Sequence, residues 1–530
     1  MSDVVRNYTG QSGSLRSRPR RFRRRGLFTR VFLPGVLVLL AVLWWMTRDT
    51  YRFAECIPAG QRLTVIVDDP LTARDRLFQS RVWRAIPEGW TPVSDPNLAL
   101  SNFGMPQWVL NNLFHNRAIV TGNEVGETND LVLLSRMTRI GTLLERFHGF
   151  SSSVADDYAG GLELRAIPDR DVYYAVRGRL LLMSASRDAL IRALTLADGD
   201  QLDQSQFDEL ARSGGEDIRG TIALAPDHAV GRYFESVAFA IRVDADSAHA
   251  KCRGVLRPHA AAELGSLIAG TGPASLKTPP EGLVAVSANF GKPVKEVWTA
   301  LGDATGATLF SKSQWESWAN GAPGQPVDVA SFLTSLIGDK GPGLRIAMTG
   351  IDANEIIPMP ILVGTVDGDT GAVKQMLESI PAPPEDIQPW DSYPRYDAET
   401  GVAFVPMFGG PSLEPAIAVS RNMMFVGSSQ ESMRETMSNE ATDQDLPQSG
   451  NLYIQIQPAP LVKSIIESGR LLAEIDSLRG FTQETFEAAA ASWMASAENI
   501  DTITALAAVH GDAIEFEFRV VCPTAAAGQN

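Results

Sequence analysis

Hydrophobic and polar positions alternate over short stretches of the chain, and several of these stretches lead into segments whose apolar residues have helical spacing. In Ala175–Leu194, AVRGRLLLMSASRDALIRAL, the pattern predicts two strands, a tight turn between them, and a helix capped by Ser186. The same pattern returns in Ala418–Met437, AVSRNMMFVGSSQESMRETM, where Ser429 takes the capping position. Two strand–turn–strand–helix units of this kind indicate an internal repeat.

Other segments recur in the same order in both halves of the chain. Gly220–Glu235 and Leu452–Glu467 each combine an alternating strand with a predicted helix, and a proline separates the two elements, Pro226 in one copy and Pro458 in the other. The remaining recurring pairs are Thr64–Phe78 with Val284–Trp298, Leu131–Phe147 with Ile361–Leu377, and the hairpins Val237–Leu256 with Thr502–Val521. We therefore predict that the second half of the chain repeats the first.

The number of predicted strands and the short turns between them favour antiparallel or mixed sheets over a doubly wound parallel sheet. We predict an α+β fold of two tandem related domains, with helices on one face of each sheet and one transmembrane helix in front of them. The predicted divisions are a cytoplasmic Arg-rich tail (1–26), a transmembrane anchor (27–46), a first repeat domain (57–257), a linker (258–280), a second repeat domain (281–522) and a disordered tail (523–530).

The predicted anchor is the uncharged run from Val31 to Met46, VFLPGVLVLLAVLWWM. Residues 1–30 contain nine arginines and one acid, and a basic block before an apolar run holds the N-terminus of a spanning helix in the cytoplasm. The residues after the run are bulky and charged, which disfavours the alternative of a cleaved signal peptide. The sequence thus predicts a single-pass protein of the inner membrane, held in the lipid bilayer by Val31–Met46, with its bulk outside the cytoplasm.

Charge restricts the partners of the predicted outer part. The whole chain carries a net charge of −15, and the first 30 residues carry +8, which leaves −23 for residues 31–530. Such an excess of acid repels a phosphate backbone, so we predict no nucleic-acid partner. The hydrophobic fraction of 44% is typical of a globular chain rather than a disordered one.

Cysteines are few, and each lies in the predicted outer part. They are Cys56, Cys252 and Cys522. In an oxidising compartment two of the three can form a disulfide and one is left over. All three pairings stay open, as does the alternative of free buried thiols.

Motifs of known catalytic or metal sites do not occur in the sequence. None of the six histidines has the spacing of zinc ligands, and the nucleophile elbow, the phosphate-binding P-loop and the S-x-x-K motif are missing. Asp227 and His228 are neighbours, but they follow Pro226 at a predicted helix start, where an acid commonly caps the helix. We therefore predict no catalytic residue, no cofactor and no metal, and we do not expect an enzyme.

Aromatic residues supply the candidate binding surface. Trp390, Tyr393 and Tyr396 lie in or beside the Pro-rich segment PAPPEDIQPWDSYP, and Trp315 and Trp318 lie in a polar segment upstream. Aromatic side chains in rigid loops are favoured contacts for proteins or glycans. The alternative is that these rings dock their own loops against the body of the protein.

The blocks RLLLMSASRDAL and NMMFVGSSQESM, together with the predicted anchor, resemble those of uncharacterised bacterial envelope proteins with one N-terminal anchor and a duplicated α+β ectodomain. The resemblance extends over nearly the whole chain and implies an envelope location, but no catalytic residues. The resulting hypothesis is a membrane-anchored, extracytoplasmic scaffold or partner-binding protein without catalytic activity, whose partner is an envelope protein. The alternatives are an envelope hydrolase with a site between the two repeats, and a binder of glycans or small ligands.

Overall fold

The computed structural model describes residues 33–86, 107–123, 130–148, 155–159, 162–167, 172–212, 214–267, 273–292, 296, 343–352, 358–367, 370–385, 393–406, 414–439, 444–474 and 482–523. Twelve α-helices lie in these ranges, and a short 3₁₀ helix covers Phe53–Cys56. The helices are α1 (Leu33–Met46), α2 (Pro70–Gln79), α3 (Arg81–Ala85), α4 (Gln107–Leu113), α5 (Arg139–His148), α6 (Arg187–Leu194), α7 (Gln204–Leu210), α8 (Pro258–Leu267), α9 (Gly371–Glu378), α10 (Gln430–Ser438), α11 (Pro458–Glu474) and α12 (Gln483–Ala497).

Helix α1 lies inside the predicted anchor. Its 14 described residues correspond to about 21 Å of helix, whereas a bilayer core is about 30 Å thick. Among the residues that the structure describes, no helix is both long and apolar enough to cross a membrane. This finding contradicts the predicted transmembrane anchor over 27–46 and the single-pass inner-membrane location inferred from it.

Twenty strands lie in the described ranges, ten in each half of the chain. In the first half they are β1 (Leu63–Asp68), β2 (His115–Gly122), β3 (Val132–Arg136), β4 (Ala155–Ala159), β5 (Leu162–Ile167), β6 (Val172–Arg177), β7 (Leu180–Ser184), β8 (Ile218–Ala223), β9 (Phe234–Val243) and β10 (Ser247–Leu256). In the second half they are β11 (Val284–Asn289), β12 (Gly343–Asp352), β13 (Met359–Asp367), β14 (Arg395–Asp397), β15 (Val402–Phe404), β16 (Ala416–Ser420), β17 (Met423–Gly427), β18 (Leu452–Ile456), β19 (Thr502–His510) and β20 (Ala513–Val521).

All of these strands belong to one sheet, and every pairing between them is antiparallel. The order in space is β4-β5-β6-β7-β3-β2-β1-β8-β9-β10 in the first half. In the second half it is β14-β15-β16-β17-β13-β12-β11-β18-β19-β20, the same order with each strand number raised by ten.

The two halves join through their last strands. Strand β10 pairs with β20 in an unbroken register from Ser247 opposite Val521 to Val255 opposite Ala513. The pairing satisfies backbone groups that two separate sheets would leave exposed at their edges. The predicted fold class is therefore wrong, because one continuous antiparallel sheet replaces two separate sheets. The predicted domain boundaries stay predictions.

Helices cover both faces of the sheet. Leu182 of β7 is buried with Leu190 of α6, whereas its neighbour Leu181 is buried with Leu113 of α4. Successive side chains of a strand point to opposite faces, so α6 and α4 lie on opposite sides. We call the face with Leu182 the front face and the face with Leu181 the back face.

The second half has the same two-sided arrangement. Phe425 of β17 packs against Met433 of α10, and its neighbour Met424 packs with Val373 of α9. The predicted placement of helices on one face is therefore also wrong. The physical reason is that β7 and β17 are apolar on both sides, as their runs LLLMS and MMFVG show.

Local structure follows the sequence closely in the hairpin–helix units. Arg421 and Asn422, with φ of 52° and 58°, form the two-residue turn between β16 and β17, a conformation suited to the twist of a hairpin. Ser186 caps α6, since its hydroxyl accepts a hydrogen bond from the Ala189 backbone N–H at 3.2 Å. Ser429 lies at the same position before α10. The predicted caps of these two helices are thus confirmed in position.

The two proline segments differ in the structure. Pro458 begins the 17-residue helix α11, as predicted. The segment after Pro226 forms consecutive turns instead, so the predicted helix there is wrong. Its backbone doubles back so closely that a Cβ on Gly231 would lie 1.8 Å from the carbonyl oxygen of Ala225. This approach requires glycine and does not fit a continuing helix.

Candidate functional site

A cleft of about 860 Å³ lies where the two halves join. Its floor consists of β8, β9, β10, β20 and β19, in that order. Two rows of directly opposed residues line it, Arg219–Ala240–Lys251–Glu517–Leu506 and Thr221–Ala238–Arg253–Glu515–Ala508. Opposed residues in an antiparallel sheet share one face, and so do residues two positions apart.

The cleft opens on the front face. Arg219 lies opposite Ile66, which lies opposite Ile119 on its other side. Ile119 lies opposite Leu134, and Leu134 lies opposite Leu182, the residue that defines the front face. In the first half this face is covered by the 3₁₀ helix, α6 and α7. The cleft thus lies on the front face at the junction, where the sheet passes from the first half to the second.

The walls come from corresponding places in the two halves. On one side the connector before β8 contributes Glu209, Leu210, Arg212, Gly214 and Glu216. On the other side the wall consists of Pro273 with Gln448 and Ser449, and the latter two precede β18. Strands β8 and β18 hold the same position in the strand order of their halves. The cleft therefore lies between corresponding elements of the two halves.

The shape of the floor suits an extended ligand. Five strands at about 4.8 Å spacing span roughly 19 Å between the outermost strands, which equals about six residues of an extended polypeptide. Ala238 and Ala240 of β9 and Ala508 of β19 have small side chains, so the floor is low on both sides of the two central strands. Ala238 is exposed. The cleft is thus a shallow trough whose charged floor residues lie on the central strands β10 and β20.

Acids on the floor are engaged by basic residues of neighbouring strands. Glu517 lies opposite Lys251, whose Nζ is 4.0 Å away, and its Oε1 is 2.8 Å from His249 Nε2. The Oε2 atom of Glu515 is 3.6 Å from His510 Nε2. Because His249 and Lys251 belong to the first half and Glu517 to the second, these contacts join the halves across the trough.

Arg219 is the most buried charged residue of the lining. Its side chain is 8% exposed, and its Nη2 donates to Asp68 Oδ2 at 2.6 Å and to the Ala211 carbonyl at 2.8 Å. Its Nε donates to the Leu210 carbonyl at 2.8 Å. The remaining nitrogen, Nη1, is buried and has no hydrogen-bond partner among the described residues. A buried donor in this state costs free energy unless a ligand or water satisfies it.

The acid that pairs with Arg219 is shared with a second arginine. Asp68 Oδ1 accepts a hydrogen bond from Arg117 Nε at 2.7 Å. Two guanidinium groups thus share one carboxylate, and this cluster has a formal charge of +1. A net positive charge with little access to water is costly, so an anionic group nearby would be favourable.

The aromatic residues predicted as a binding surface do not line the cleft in the described structure. Trp315, Trp318 and Trp390 lie outside the described residues. Tyr396, on β14, packs against the back-face core of the second half and lines a separate cavity of about 400 Å³ with Pro381 and Pro383. Tyr393 is half-buried.

The three cysteines are free thiols. Burial raises the pKa of Cys56 to about 11, and it also raises the pKa values of Cys252 and Cys522. A thiol with a raised pKa is largely protonated at neutral pH and is a weak nucleophile. Cys252 lies in β10 directly opposite Phe516 of β20, close to the centre of the junction. Among the described residues, no group of three or more His, Cys, Asp or Glu side chains is placed to hold a metal ion.

A sequence pattern marks several residues of the cleft floor and its surroundings, but these residues were not predicted as a site. Polar residues recur every second position in HAKCR (His249, Lys251, Arg253) and in EFEFR (Glu515, Glu517, Arg519). Such alternation predicts strands with one charged face. That the two charged faces meet depends on the pairing of β10 with β20, which no local pattern indicates.

Comparisons with known proteins do not identify a family. No family model matches the chain, and no curated protein matches it. Crystal forms III, I and IV of TP0453 match with sequence identities of 6%, 9% and 8%, each with a TM-score of 0.26. The matches cover 42%, 40% and 42% of this chain and 88%, 81% and 87% of those chains. Similarity this low supports no inference about fold or function.

Proposed function

We propose that this chain is a non-catalytic binding protein and that the central cleft holds an extended segment of a partner protein. The observation that carries the proposal is the trough on the front face, built by strands of both halves and about as long as six extended residues. Clefts between related structural units are common ligand sites. The volume of about 860 Å³ is within the range of such sites.

The chemistry of the lining supports binding rather than bond cleavage. The floor acids Glu515 and Glu517 are engaged by His510 and by His249 with Lys251. Charged and polar residues on the central strands, between alanines on β9 and β19, give a segment positions to align its own polar groups. Complementary charges of this kind determine which partner fits and in which register.

A cleft-filling substitution tests the proposal. The tagged full-length chain is used to capture partners from an extract of its source cells, and captured proteins are identified by mass spectrometry. Ala238→Trp puts an indole on the exposed floor of the trough, and Ala262→Trp puts the same group on the exposed surface of α8 as the matched control. We expect a captured partner to be lost with Ala238→Trp and retained with Ala262→Trp. Capture that is equal for both variants would overturn the proposal.

A further inference from the structure

We infer that the wall of the cleft at Arg219 is an anion subsite, and that the partner segment presents an acidic side chain to it. This inference rests on the proposed function, because it names the chemistry of the segment that the cleft would hold. Its starting point is the Nη1 atom of Arg219, which is buried, lacks a hydrogen-bond partner in the described structure, and belongs to a residue that lines the cleft.

The charge around Arg219 supports an anion rather than a neutral ligand. Arg219 and Arg117 share the one carboxylate of Asp68, at 2.6 and 2.7 Å. The other acid in this region, Asp217, is occupied by Arg76 at 2.7 Å and by the Val243 backbone N–H at 2.9 Å. One positive charge of the Arg117–Asp68–Arg219 cluster is therefore not compensated by these carboxylates. Guanidinium groups bind carboxylate and phosphate with strong, charge-assisted hydrogen bonds.

Two further arginines of the lining, Arg212 and Arg253, are placed to meet an anion, beside four lining glutamates. Glu216 accepts a hydrogen bond from the Gly214 N–H at 2.7 Å, and Glu515 and Glu517 contact histidines. Arg212 and Arg253 are both exposed and make no side-chain hydrogen bond or ion pair within the described ranges.

The geometry fits an acidic residue near one end of a bound segment. Arg219 lies on β8 at the edge of the floor, and Arg253 lies two strands across and two residues along, at about 12 Å. Four residues of extended chain cover about 13 Å, and residues four apart point to the same side. A segment with acids four residues apart, or one acid at the Arg219 end, therefore matches the basic groups.

Labelled peptides of defined charge test the inference by fluorescence anisotropy. The probes are (Ala-Glu)₄, (Ala-Gln)₄ and (Ala-Lys)₄, measured with the full chain at constant ionic strength. Charge-assisted hydrogen bonds contribute enough for about a tenfold preference for the glutamate peptide. Equal binding of the three peptides, or no binding of the glutamate peptide, would overturn the anion subsite.

Variants locate the subsite without removing the buried Arg219. Ala240 lies directly opposite Arg219, so Ala240→Glu supplies an internal carboxylate that competes for the guanidinium. We expect Ala240→Glu to weaken the glutamate peptide about tenfold and Arg253→Gln to weaken it by a smaller factor. Arg470→Gln, an exposed arginine of α11 that does not line the cleft, is the control and leaves binding unchanged. Equal binding by Ala240→Glu and the unsubstituted chain would contradict the inference.

Small anions distinguish a carboxylate from a phosphoryl group. Inorganic phosphate and acetate are added as competitors to the glutamate peptide at fixed ionic strength. If acetate displaces the glutamate peptide at a lower concentration than phosphate does, the result supports an acidic side chain in the partner segment. If phosphate displaces it at the lower concentration, the partner segment carries a phosphorylated side chain instead, and the carboxylate is ruled out. The proposed function is judged separately, because a partner lost with Ala238→Trp supports it even if the peptides show no preference for acid.

Discussion

His249, on the last strand of the first half, places its Nε2 atom 2.8 Å from Oε1 of Glu517, on the last strand of the second half. The contact lies beside the backbone pairing of β10 with β20 and connects the halves on the floor of the cleft. The proposed binding site therefore lies at the junction of the halves. A partner that fills the cleft contacts both halves, and any loss of the β10–β20 pairing removes the site.

The side-chain contact at the junction is expected to add little stability. His249 and Glu517 are 32% and 33% exposed, so water screens their interaction. A double-mutant cycle with His249→Ala and Glu517→Gln should give a coupling of about 0.5 kcal/mol in urea unfolding. A coupling above about 2 kcal/mol would show that the pair is not a screened surface contact.

Removal of the shared carboxylate should destabilise the chain strongly. Asp68→Asn leaves Arg219 at 8% exposure and Arg117 without their acid. We expect a loss of about 3 kcal/mol in the free energy of unfolding, measured by urea denaturation. The control is Asp75→Asn, which removes a half-exposed acid next to Arg74 and should cost under about 1 kcal/mol. Equal losses would mean that the Asp68 cluster is not effectively buried.

Gly254 of the junction strand β10 leaves room for the aromatic ring of Phe234, which lies against its backbone. A Cβ on Gly254 would lie 2.5 Å from ring atoms of Phe234, so Gly254→Ala forces the ring to move. We expect a loss of about 1–3 kcal/mol by thermal or urea unfolding. Gly265→Ala is the control, because the helical Gly265 has nothing within 4 Å of its Cβ and should gain up to about 1 kcal/mol. If Gly254→Ala is as stable as the parent chain, the Phe234 ring does not lie against Gly254.

Buried Cys56 should make stability fall at alkaline pH. Its pKa is raised by burial from 9.0 to about 11, so between these values the folded state keeps a proton that the unfolded state has released. The free energy of unfolding should therefore decrease as the pH rises from 9 to 11, by about 2 kcal/mol in this group's contribution. The measurement is the difference between the parent chain and Cys56→Ala across this range. A difference that does not change with pH would contradict the burial of the thiol.

Some of the fold could be predicted from the sequence because local patterns determine it. The strands β6 and β7 and the cap at Ser186 follow from alternation and from the capping preference of serine. The edge-to-edge pairing of β10 with β20 could not, because it joins backbone groups that every strand has. The turns after Pro226 also escaped prediction, since the close approach at Gly231 is a tertiary contact.

The candidate site shows the same division. The alternating charges of β10 and β20 are visible in the sequence, but their convergence requires the register that sets Lys251 opposite Glu517. The buried state of Arg219 depends on Asp68, which lies 151 residues earlier in the chain. Aromatic residues were the more conspicuous signal, yet Tyr396 packs against a core cluster of the second half.

Site-specific photo-cross-linking tests the central claim most directly. A photoreactive benzoylphenylalanine replaces Gln448, an exposed residue on the wall of the cleft, or Ala250 of β10, which lies opposite Phe518 on the back face. With the captured partner present, irradiation should give an adduct from position 448, mapped by mass spectrometry to one short partner segment, and none from position 250. Adducts from position 250 with none from position 448 would contradict binding in the cleft.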